Sequence, residues 1–138
     1  MTFRVNVIVA SVGLLLFLPG CSSSTDEQGC ADIISQATKV AETFSDLVKS
    51  SSSAEAQVYA GAVTRHLDKT SRIELDSSDL RIARDEWVRA AFAFTETVEN
   101  AFAGSGVTGK LGSFEGPSWA EFSVATDNLL YACDEENA

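Results

Sequence analysis

The stretch LRIARDEWVRAAFAFTETVENA, residues 80–101, decides the fold. Within it Leu80, Ala83, Trp87, Ala91, Phe94, Val98 and Ala101 return every three or four residues. A helix of 3.6 residues per turn gathers them on one side, so the stretch reads as an amphipathic helix rather than a strand. Asp76-Ser77-Ser78 supplies an N-cap just upstream, because short oxygen-bearing side chains accept from the unpaired amides of a first turn. Glycine-rich residues 104–116 end the helix. Arg81, Asp85 and Arg89, with Glu86 close by, are expected to form ion pairs on the solvated face. Phe92 and Val88 lie away from the apolar stripe, and Phe92 falls among Arg81, Asp85, Arg89 and Glu96, where it is expected to be exposed.

Three more segments carry the same periodicity. Upstream, Cys30, Ile33, Ala37, Val40, Phe44 and Leu47 form one stripe, with Ile34, Ala41 and Val48 beside it and Asp32, Lys39, Glu42, Asp46 and Lys49 opposite. The serines 50–53 break that helix, and Ser52 with Glu55 reads as a capping box for a second helix over residues 54–69. This second helix carries Tyr59, Val63, His66 and Leu67, and is weakened by Gly61. Downstream, Pro117 and a box of Ser118 and Glu121 start a fourth helix with Trp119, Phe122, Thr126, Leu129 and Cys133 inward. The expected fold is all-α: an up-down-up-down antiparallel four-helix bundle, in which the start of the first helix lies beside the end of the fourth.

The first 20 residues are of another kind. One cation, Arg4, precedes an apolar run from Val5 to Leu18, followed by small or turn-forming residues, the composition of a secretory signal. The run is short for a permanent span, which takes about 20 helical residues. Leu18-Pro19-Gly20-Cys21 resembles the lipobox of bacterial lipoprotein precursors, with Pro19 standing where a small or hydroxyl residue is usual. The resemblance covers the targeting segment alone. It implies diacylglycerol transfer to the Cys21 sulfur, removal of residues 1–20, and acylation of the new amino terminus, which together hold a protein durably on a membrane. The organisation expected is thus a cleaved signal over 1–20, a lipidated cysteine with a polar tether over 21–29, and a bundle domain over 30–138.

The chain has three cysteines, Cys21, Cys30 and Cys133. With Cys21 taken by lipid, an even pair remains in a compartment that permits disulfides. Both fall on buried stripes at the two chain ends that the bundle brings together, so a Cys30–Cys133 bridge is expected, the alternative being two buried thiols.

The formal charge is −10, and loss of residues 1–20 removes one cation and no acid. Such a surplus repels nucleic acid and anionic headgroups. If Cys21 is the anchor, residues 22–29 span at most ~26 Å. The start of the first helix and residues 70–78 then lie near the bilayer, with residues 50–53 and 104–116 about 30 Å further out. The near end collects Asp26, Glu27, Asp32, Asp134, Glu135 and Glu136, read as a solvated tail that stands the domain off the membrane rather than as a Ca²⁺ or Mg²⁺ site.

Chemical motifs are sparse. Residues 104–109 match a dinucleotide fingerprint and 104–110 part of a phosphate-binding loop, but both need a strand before and a helix directly after. The single histidine, His66, has no Glu or His at metal-ligand spacing and reads as structural. No catalytic residue, metal or cofactor is expected. The leading expectation is a non-catalytic, protein-binding lipoprotein of the cell envelope, facing outside the cytoplasm, with a phage-encoded exclusion lipoprotein as a variant. A carrier of a small apolar ligand, held among Phe44, Trp87, Phe94, Trp119 and Phe122, is the alternative, and a hydrolase is the least favoured. The expected partner surface is Phe92 and Val88 with Leu111 and Phe114 of the glycine-rich loop, since aromatic side chains commonly anchor interfaces.

Overall fold

The computed structural model of the chain describes residues 25–105 and 117–136. Four helices run through them: α1 Thr25–Val48, α2 Ser53–Ser71, α3 Ser78–Ser105 and α4 Pro117–Glu136. Among the described residues there is no strand.

Local chemistry sets most of the ends. After Val48 the chain tightens, with the Lys49 and Ser50 amides donating to the Asp46 and Leu47 carbonyls at 3.1 and 3.2 Å. The Ser52 hydroxyl then accepts from the Glu55 amide at 3.1 Å, as a cap should. The return half of the box falls one residue earlier than expected: Glu55 Oε2 accepts from the Ser51 amide and hydroxyl at 2.7 and 2.8 Å. These bonds hold the Glu55 carboxyl below its usual value. Ser118 departs from its expected role, because α4 already includes Pro117 and places Ser118 inside the first turn.

The start of α1 also differs. Residues 25–29, read as tether, are helical, and Asp26 and Gly29 are buried. The apolar spacing could not register them, since what holds them is contact with the α2–α3 connection. A Cβ on Gly29 would stand 2.5 Å from Leu75 Cδ2 and 2.9 Å from the Glu74 carbonyl oxygen, so only glycine permits this approach.

One core runs through the bundle. Ile33, Val40 and Leu47 of α1, Val63 and Leu67 of α2, Leu80, Trp87, Phe94 and Val98 of α3, and Leu129 of α4 are almost wholly buried. Consecutive helices pack closely, whereas α1 and α4 meet sparsely. Two features close that seam. Phe44 of α1 sets its ring edge-on to Phe122 of α4, centroids 5.3 Å apart. Cys30 and Cys133 are joined by a disulfide, Cα–Cα 5.6 Å, across 103 positions of sequence. A loop of this length makes the bridge worth about 4 to 5 kcal/mol on the chain-entropy account. Reduction of the full chain should therefore lower its melting temperature markedly while far-ultraviolet circular dichroism at 20 °C stays helical; an unchanged melting temperature would show that the bridge contributes nothing.

Candidate partner-binding surface

Of the residues expected to meet a partner, Phe92 is 40% exposed on α3. Val88 is not part of that surface. It is 8% exposed and belongs to the core. The reason is the position of α3, which packs against both α2 and α4. Its buried arc is therefore wider than the stripe of a helix covered on one side, and takes in Val88, Ala90 and Thr95 as well. Leu111 and Phe114 lie outside the described residues, as does Cys21.

The charged face of α3 is organised differently from the expected ladder of ion pairs. Arg81 turns back and donates from Nη1 to the Leu75 and Asp76 carbonyls, each at 2.9 Å. Asp85 takes its bond at 2.8 Å from Nε of Arg84, and the largely buried Arg84 also donates to the Ile73 carbonyl. Both arginines thus fasten the α2–α3 connection to α3. On the other side of that connection Asp26 of α1 accepts from the Asp76 amide at 2.6 Å and from the Ser77 amide at 3.1 and 3.2 Å. A carboxylate there satisfies amides at the mouth of α3, where the helix dipole favours negative charge. Sequence reasoning missed this cluster. Its one local trace is Gly29, a poor helix former in the first turns of a helix.

The α3–α4 surface is hollowed. A groove of about 720 Å³ runs between the two helices, where Ala90, Ala93 and Ala125 are too short to fill the space and exposed Glu86, Arg89 and Glu121 border it. Phe92 stands less than one turn from Arg89 on the same helix. Trp119, expected inward, is 43% exposed. Its ring still packs on Phe94 and Phe122, centroids 5.2 and 5.8 Å away. The aromatic interior considered above for an apolar ligand is occupied by its own rings. Phe44 meets Phe94 edge-on at 4.9 Å, and Phe94 stacks on Phe122 at 6.0 Å. Trp87 donates its indole N–H to Thr126 at 3.0 Å.

Among the described residues no three His, Cys, Asp or Glu side chains converge as a metal site would require. His66 is half-buried and its Nδ1 donates to Gln36 Oε1 of α1 at 2.9 Å. Residues 104 and 105 continue α3, so a helix rather than a strand leads into the glycine-rich motif, the rest of which lies outside the described residues. No helix of the described residues is long and apolar enough to cross a membrane. No protein-family model, curated protein or solved structure matches the chain.

Burial, and then the nearby Lys69, Lys39 and Arg65 charges, push the His66 pKa below its ordinary value of 6.5. The folded state thus binds this proton less readily than the unfolded chain. The stability contributed by neutral His66 is complete above pH 6.5 and is lost as pH falls through the lower folded value. Denaturant midpoints of the unsubstituted chain should decline over that acid interval more steeply than those of His66→Gln; parallel declines would exclude the histidine as the cause.

Proposed function

We propose that the chain is a bacterial lipoprotein, held by acyl chains on Cys21 at the outward side of a membrane, whose helical domain is a non-catalytic protein-binding module of the cell envelope. The observation that carries the anchor is Leu18-Pro19-Gly20-Cys21 at the end of an apolar leader. The cysteine inventory supports it. The Cys30–Cys133 bridge accounts for two of three cysteines and leaves the Cys21 sulfur to carry lipid.

The domain is read as an up-down-up-down bundle. In support, Cys30 near the start of α1 is bonded to Cys133 near the end of α4, Phe94 in the second half of α3 meets Trp119 at the start of α4, and Asp26 at the start of α1 meets Ser77 just before α3. In that arrangement the α2–α3 connection shares the anchored end with the start of α1, and the glycine-rich loop lies at the far end. Binding rather than catalysis is supported by what the surface offers: an exposed aromatic, Phe92, on α3, and an alanine-lined groove between α3 and α4. Leu111 and Phe114 extend the proposed surface at the far end.

Metabolic labelling with a fatty acid should mark the wild-type chain and not Cys21→Ala, and the variant should leave the membrane fraction; label retained on the variant would remove the anchor. Crosslinking and pull-down from native membranes should recover a protein partner that Phe92→Ala captures several-fold less, with a melting temperature close to wild type. Undiminished capture would place the surface elsewhere.

A further inference from the structure

An apolar patch lies across the sparsely packed α1–α4 seam. Ile34 of α1 is 41% exposed, and Leu130 and Tyr131 of α4 are 45% and 65% exposed. The three border one groove of about 410 Å³, together with Cys133 and Asp134. Contiguous exposed apolar side chains mark a contact surface more often than scattered ones do. The disulfide fixes the height of the patch in the bundle. Ile34 is about one helical turn beyond Cys30 and Leu130 about one turn before Cys133, so the patch sits roughly 6 Å along the axis from the bridge.

The chain that leads to the anchor identifies what covers it. Only Ser22, Ser23 and Ser24 separate Cys21 from Thr25, the first described residue of α1. Fully extended, that link reaches about 14 Å. Ile34 lies a similar distance, about 14 Å, along α1 from Thr25. An anchor this short holds the start of α1 close to the bilayer and lets the bundle lean until the patch touches it.

We propose that the Ile34, Leu130 and Tyr131 patch rests on the lipid surface, its side chains at the headgroup and acyl boundary of the membrane that holds Cys21. The inference rests on the anchor proposed above. The chemistry of the patch suits that boundary. Two branched aliphatic side chains supply apolar area, and tyrosine, apolar in its ring and polar at its tip, is enriched at membrane interfaces. The Tyr131 hydroxyl donates to Glu135 at 2.6 Å, so one of the acids beside the patch is engaged by the patch itself. That bond, and the charge of Glu135, raise the Tyr131 pKa and keep the phenol neutral. The exposed face of α1 around Ile34 continues through Ala31, Thr38 and Ala41 without a charge. Glu27 and Asp134 at the margin disfavour anionic lipid and leave a zwitterionic surface as the partner. The acidic end therefore does not simply stand the domain off. Asp26 is spent inside the protein and Glu135 on Tyr131, and Ile34, Leu130 and Tyr131 add apolar surface to that end.

The test uses the lipidated full chain in phosphatidylcholine vesicles with brominated acyl chains, which quench tryptophan at the interface. Tyr131→Trp places a probe in the patch, and Val58→Trp places one on α2, away from the seam, at an exposed position; neither enters the core. After subtraction of the unsubstituted chain's emission, the probe at position 131 should lose most of its signal relative to unbrominated vesicles and the probe at position 58 almost none. A chain that floats with the vesicles but shows no quenching at 131, or equal quenching at both positions, overturns the docking while leaving the anchor intact. An unsubstituted chain that fails to float refutes the anchor, and the docking with it.

Discussion

The closure of α1 against α4 by the Cys30–Cys133 bond is the constraint on which the rest depends. Consecutive helices hold each other by extended packing, and the ends of the chain are joined only at the end of the sequence of contacts, where the packing is thinnest. A covalent bond there removes from the unfolded chain much of the freedom that would otherwise favour separation of the outer helices. It also sets the level at which Ile34, Leu130 and Tyr131 meet, since both helices are registered from the two cysteines. Further along the same seam the Phe44 ring against Phe122 continues the closure by packing alone.

A second fixed point lies at the same end. Asp26, Gly29, Arg81 and Arg84 converge on the short connection between α2 and α3, and each takes up a backbone group or a close backbone approach there. A connection without regular structure leaves amides and carbonyls without helical partners, and buried ones must be bonded. Here a carboxylate takes the amides and two guanidinium groups take the carbonyls, so charge of each sign is placed where the backbone needs it.

Between α3 and α4 the surface is shaped by small side chains. Alanines at positions 90, 93 and 125 let α3 and α4 approach and leave a groove, while Phe92 stays outside because the buried arc of α3 ends just short of it. The same wide arc brought Val88 inside. A helix wheel treats each helix as though one neighbour covered it; α3 has two.

The sequence by itself determined the four helices, the breaks after α1 and α2, the Ser52 cap and the pairing of Cys30 with Cys133, because these follow from periodicity, local hydrogen bonding and a count of cysteines. It also placed Phe92 outside the apolar stripe. The tertiary structure decided which residues at the edges of those stripes are covered, hence Val88 in the core and Trp119 half out of it. It decided as well that residues 25–29 are helical, since Asp26 is held by amides 50 and 51 positions away in sequence, and Gly29 is fitted to side chain and backbone of the same distant segment. Such contacts leave no local pattern, because their spacing is set by how whole helices pack and not by the turn of any one of them.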